Sequence, residues 1–192
     1  MTQPAHPAVP TTRAGQGTRA RICEVALELF TEQGYDATSL REIAERLGVT
    51  KAALYYHFRT KDDIVASLIN DQVARLDELI AWGREQPPGV ESRREFVRRY
   101  AAMLFDGDYS RFMRFMERNP TMSKQHIGRK MRDRLTDVQA ILTPPEAPLT
   151  QRLRRSLAIM AIHTSYFMLG GADVSDEQRR EAALAVALEL VE

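Results

Sequence analysis

Apolar residues recur at three- and four-residue spacing along nearly the whole chain, and nothing alternates with period two over a useful length, so the pattern predicts helices throughout. Ile22, Val25, Ala26, Leu29 and Phe30 mark a first helix; Leu40, Ile43, Ala44 and Leu47 a second; Leu54 and Phe58 the buried side of a third that begins near Lys51. A long fourth helix is expected from about Lys61 to Glu85, with Ile64, Leu68, Val73, Leu76, Leu79 and Ile80 as its apolar positions, until Pro87-Pro88-Gly89 stops it. Further helices are expected at roughly 91–105, 110–118 and 123–142, separated by Asp106-Gly107-Asp108 and Asn119-Pro120 and closed by Pro144-Pro145. Two more occupy about 150–169 and 176–191, with Gly170-Gly171 between them. The fold class is therefore all-α, with about nine helices.

Residues 39–58, SLREIAERLGVTKAALYYHF, carry the strongest local signal. Ser39 followed three residues later by Glu42 is a capping box, which satisfies two amide donors at a helix start. Gly48 stops that helix, because glycine enters the left-handed conformation without steric cost. Val49 plugs the turn, and the Thr50 hydroxyl caps the next helix. On that helix Lys51, Ala52, Tyr55 and Tyr56 share an arc beside the buried Leu54 and Phe58. Two tyrosines next to a lysine and a small residue spend apolar surface on something other than the helix's own core, and the major groove of DNA fits. Lysine reaches guanine acceptors or a phosphate, Ala52 permits close approach, aromatic rings meet thymine methyls, and short donors on tyrosine and histidine suit phosphate oxygens.

The stretch from about Gly17 to Asn70 resembles the DNA-binding domain of the TetR family of bacterial transcriptional regulators. The resemblance lies in Gly34-Tyr35, Thr38-Ser39, Ile43-Ala44, Leu47-Gly48-Val49, Leu54-Tyr55-Tyr56-His57-Phe58 and Lys61. It implies that Lys51, Ala52 and Tyr55 lie against base edges, and that Thr38, Thr50, Tyr56, His57 and Lys61 contact phosphates, with Arg41 reaching either. By helical geometry alone, His57 could instead cap or pack at the helix end. The implied organisation is an arm at 1–15, a DNA-binding domain of three helices at 16–76 with its helix-turn-helix at 39–58, and an effector-binding and dimerisation domain at 77–192.

Composition changes this picture little. A hydrophobic content of 44% is ordinary for a globular chain, and a formal net charge of +1 gives no global sign of nucleic acid. The local balance does: between Arg41 and Lys61 stand Arg41, Arg46, Lys51, Arg59 and Lys61 against Glu42 and Glu45. That excess is modest, so affinity must also come from pairing two reading units and from helix ends that point at phosphates. The single Cys23 excludes an intramolecular disulfide and leaves no zinc framework. No metal or cofactor is expected. No apolar run is long enough to span a bilayer and the opening seventeen residues lack an export segment, so the expected location is the cytoplasm, with no membrane partner.

The last helix is apolar over a wide arc, with Ala183, Val186, Ala187 and Leu190 in one stripe and Leu184, Leu188 and Val191 in another. The helix before it carries Leu153, Leu157, Met160, Ala161, Thr164 and Met168. Together they can form a four-helix interface with a two-fold mate, the alternative being a wide stripe sunk in one monomeric core, and a homodimer spaces two recognition helices about 34 Å apart to read a palindrome. Between reader and interface the chain is rich in Met and aromatics, which suits a small apolar or amphipathic effector. The candidate lining is Trp82, Tyr100, Met103, Phe112, Met116, Met131, His163, Tyr166 and Phe167. The four histidines, His6, His57, His126 and His163, form no H-E-x-x-H, and neither a nucleophile elbow nor a Gly-rich phosphate loop is present, so an enzyme is not expected. The reading is a ligand-responsive regulator, by the resemblance a repressor. Its alternative is a helical small-molecule-binding protein or adaptor on the same fold without operator binding.

Overall fold

The computed structural model describes residues 14–119, 128–169 and 174–192. Among these it contains nine helices: α1 (Ala14–Glu32), α2 (Leu40–Leu47), α3 (Lys51–His57), α4 (Lys61–Glu85), α5 (Val90–Leu104), α6 (Gly107–Arg118), α7 (Gly128–Leu142), α8 (Leu149–Met168) and α9 (Asp176–Leu190). The expected arm lies outside the described residues up to residue 13, as do the Gly170-Gly171 link and the first residues of the helix read from 123. No helix among the described residues is long and apolar enough to cross a membrane.

Helix starts follow local hydrogen bonding. Ser39 accepts from the Glu42 amide at 3.2 Å while the Glu42 carboxylate accepts from the Ser39 amide at 2.7 Å, closing the capping box. Thr60 and Asp63 do the same at the head of α4, at 3.1 and 2.9 Å, and these bonds hold the Asp63 carboxyl below its ordinary range. Gly48 ends α2 at φ 73°, where its amide turns back to Ala44 and Glu45. One boundary corrects the sequence reading: α6 begins at Gly107, three residues before Ser110. Asp106 is no barrier, because its carbonyl accepts from the Ser110 amide at 3.0 Å and opens the helical ladder, while its carboxylate pairs with Arg75 at 3.0 Å.

The chain separates into two compact units, the first ending at Ser67 and the second running from Leu68 to Glu192. The division falls inside α4, nine residues before the domain boundary expected at 76/77. In the first unit α1 packs on α2 and α2 on α3. Its sealed side chains include Ile22, Ala26 and Phe30 from α1, Ile43 and Ala44 from α2, Leu54 and Phe58 at α3, and Ile64 and Val65 from α4. The second unit centres on α5, whose Phe96, Val97, Tyr100 and Leu104 meet apolar residues of α4, α7, α8 and α9. In that unit Gly83 allows close packing, since a Cβ there would stand 2.8 Å from the Phe96 ring.

Candidate nucleic-acid interface

Leu54 is 0% exposed and Phe58 is sealed, so they fix the underside of α3 and aim its other face outward. Thr50 holds the helix start by accepting from the Ala53 amide at 3.2 Å. Tyr56 is then 86% exposed and Tyr55 42%, with Lys51, Ala52 and Ala53 exposed beside them. For a seven-residue helix this is a large commitment of aromatic surface to solvent. The Lys51 ammonium rests 5.4 Å from the Tyr55 ring centroid and has no carboxylate partner among the described residues. The half-buried His57 meets the Tyr56 ring edge-on at 5.2 Å between centroids. No acidic residue stands on α3, so the face is cationic and aromatic.

Other residues of the expected set are placed differently. Arg41 is exposed but pairs with Glu45 at 2.7 Å, and this pair is weak enough in water to exchange for a phosphate. Thr38 is 2% exposed: its hydroxyl donates to the Gly34 carbonyl at 2.8 Å and accepts from Gln33 Nε2 at 3.3 Å, so it faces the protein rather than the α3 surface. Lys61 is half-buried; its ammonium donates to the carbonyls of Tyr35 and Asp36 and lies 4.3 Å from the Tyr35 ring centroid. Tyr35 in turn donates to Asp62 Oδ1 at 2.5 Å, and burial, followed by that carboxylate, pushes its phenol well above the ordinary value. Tyr35, Lys61 and Asp62 thus clasp the turn around Gly34, at φ 95°, to the head of α4. The type and order of these residues are readable along the chain, but their orientation depends on how that turn closes.

The candidate effector residues mostly belong to the packed interior of the second unit. Tyr100, Phe112 and Met116 are buried, and Trp82 and Met103 are half-buried. The side chains of Met131, Tyr166 and Phe167 lie outside the described residues. Tyr100 and His163 form a polar pair in this apolar setting, with Oη and Nε2 2.7 Å apart, and burial lowers the imidazole to about 4. Arg99 stacks on Trp82 with its guanidinium carbon 3.9 Å from the ring centroid. On α8 the exposed residues Leu149, Leu153, Leu157, Met160 and Met168 form one outward stripe, about 28 Å long at helical rise. Val186 of α9 is exposed as well, whereas Ala183, Ala187 and Val191 are sunk in the core.

The family description "Bacterial regulatory proteins, tetR family" matches residues 22–68, which run from within α1 through α2 and α3 into the start of α4. The HTH-type transcriptional regulator AcrR of Shigella flexneri is 42% identical over 79 residues, covering 41% of this chain and 37% of that protein. The chain thus matches well under half the length of that curated relative. A crystal structure of a transcriptional regulator from Aquifex aeolicus VF5 shares the fold with a TM-score of 0.70 at 20% identity, over 88% of this chain and 96% of that one. The TetR-family regulator PfmR from Thermus thermophilus aligns with a TM-score of 0.58 at 27% identity, over 89% of this chain and 96% of its own.

Proposed function

Because this chain belongs to the TetR family of bacterial transcriptional regulators, whose members bind DNA operators and act as dimers, we propose that it is a repressor that reads a palindromic operator as a homodimer and is released by a small apolar or amphipathic effector. The observation that carries this reading is the outward face of α3, where Lys51, Ala52, Tyr55 and Tyr56 stand clear of the protein while Leu54 anchors the helix from below. Lys51, Ala52 and Tyr55 meet base edges, and Thr50, Tyr56 and His57 meet phosphates. Arg41 joins them once it leaves Glu45. Thr38 and Lys61, both held to the turn before α2, act by fixing α2 and α4 under the reading helix, and any phosphate contact from them requires those bonds to open.

The outward stripe on α8, with Val186 of α9, supports dimerisation through the last two helices. The effector binds in the second unit, near Tyr100 and His163, whose paired polar atoms offer a directional contact inside an apolar setting. It acts by preferring a dimer spacing at which both reading helices cannot dock, and the strength of release equals that difference in affinity. Selection of bound sequences from random duplex DNA tests the proposal: a palindromic consensus is expected. A pool that stays random after successive rounds, with a folded dimer present, would overturn it.

A further inference from the structure

In the second unit the guanidinium groups of Arg93 and Arg155 lie near one another, and neither is paired with a carboxylate among the described residues. Arg93, in the first turn of α5, donates from Nε to the Val191 carbonyl at 2.9 Å. Arg155, on α8 and 6% exposed, donates from Nη1 to the Leu142 carbonyl at 3.3 Å, while its Nε has no acceptor. Each therefore caps a helix end, of α9 and α7 respectively, but one carbonyl occupies a single donor of five and cancels no charge. Of the acids nearby, Asp137 pairs with Arg84 at 2.7 Å and Glu192 with Arg94 at 3.0 Å, while Glu91 of the same helical turn is exposed to solvent. Burial, and then the charge of Arg155, hold Arg93 below the usual arginine value, as expected for like charges crowded without a counter-ion.

Arg93 opens onto a cleft of about 310 Å³. Gly89 and Ser92 line the same side of α5, whose first turn has no side-chain cap, so free amides add to the positive field there. The rest of the lining is apolar at Pro87, Pro88, Ala140, Ile141 and Pro144 and polar at Gln86 and at the paired Arg84 and Asp137. Leu142 completes it, and since its carbonyl holds Arg155, the second guanidinium backs that wall. Arg93 at one side, prolines and aliphatics over much of the rest, and an acid at Asp137 already neutralised by Arg84 describe a receptor for a molecule with one charged head and a short apolar body. The volume is at the small end of ligand sites, which fits a substituted ring rather than a nucleotide.

We propose that this cleft binds a small organic anion, an aryl or branched aliphatic carboxylate or monophosphate, with its head on Arg93, Ser92 and the first amides of α5 and Arg155 supplying charge from behind. The site is separate from the α3 surface, and its test involves no DNA, so failure here leaves the operator reading untouched. The probes are benzoate, phenyl phosphate, inorganic phosphate and neutral benzamide, titrated against the full chain by calorimetry and thermal unfolding. Saturable binding of benzoate or phenyl phosphate with none of benzamide is expected, and the tighter of the two identifies the head group. Arg93→Gln, which keeps a donor for the Val191 carbonyl but loses the charge, should weaken binding about tenfold or more. Asp137→Asn, which releases Arg84 from its partner, should tighten it. Should Arg93→Gln fail to fold, arginine Nε–H resonances of the unaltered protein serve instead, and one or two must shift with benzoate or phenyl phosphate. The proposal is overturned by equal response to inorganic phosphate and the organic anions, by benzamide binding as well as benzoate, by unchanged affinity in folded Arg93→Gln, or by arginine signals that do not move.

Discussion

Helices α3 and α8 both expose more apolar surface than water rewards, yet in opposite styles. On α3 the exposed groups are tyrosines beside a lysine, each with a hydrogen-bonding or charged end, on a helix of seven residues. On α8 they are bare aliphatic and thioether chains, Leu149, Leu153, Leu157, Met160 and Met168, spread over a helix of twenty. A surface that carries its polarity at the tips suits a partner that mixes base edges with phosphate oxygens, whereas one without polar atoms suits only another apolar face. The contrast teaches that exposure alone does not name a partner; the chemistry at the end of each exposed side chain does.

The contrast can be broken or sharpened by experiment. The largest effect is expected from Leu153→Glu with Leu157→Glu, which places unpaired carboxylates in the α8 stripe. Self-association should weaken on the order of a thousandfold, and sedimentation at micromolar concentration should show folded monomer. A dimer that survives would remove α8 from the interface. Next comes Tyr55→Ala with Tyr56→Ala, which should cost operator affinity about a hundredfold while circular dichroism and the dimer persist, because both rings are exposed. Operator titration checks it, and unchanged affinity would strip α3 of its reading role.

A third measurement concerns the polar pair in the interior of the second unit. His163 has a folded value of about 4 against an ordinary 6.5, so between those limits the unfolded chain binds the proton that the folded chain refuses. Stability is therefore full above pH 6.5 and falls as pH drops towards 4, by about 1.4 kcal/mol per unit within that window. Denaturant unfolding of the wild type against His163→Gln should show the slope only in the wild type. The smallest effect belongs to Ser39→Ala, which opens the capping box of α2 and should cost about 1 kcal/mol of stability in chemical denaturation without altering any side chain of α3.

What could be read from the chain alone follows the range of the forces involved. The capping box at Ser39, the stop at Gly48 and the cap at Thr50 depend on bonds between residues three or four apart, and each stands where the chain order puts it. The buried underside of α3 is equally readable, since helical period alone pairs Leu54 with Phe58. Thr38 and Lys61 are legible in type only: both turn on the closure of the loop at Gly34, a contact some twenty-five residues apart for Lys61. The start of α6 is misplaced in the sequence reading because Asp-Gly-Asp reads as a break, whereas tertiary pairing of Asp106 with Arg75 lets the helix begin at Gly107. Methionine and aromatic content marks an adaptable interior but not which side of a residue meets a void. Arg93 and Arg155, from helices far apart in sequence, carry no local signal at all, because what singles them out is their approach to one another in space.

Trp82 is the only tryptophan of the chain, and its ring lies against the Arg99 guanidinium within the second unit. Light absorbed at the red edge of the indole band, where tyrosine no longer absorbs, therefore reports on that unit alone and leaves the tyrosine-bearing α3 silent. Any rearrangement that slides α4 past α5 must separate the indole from its cationic cover and shift its emission, so the molecule carries its own optical gauge of how those two helices meet, free of added dyes.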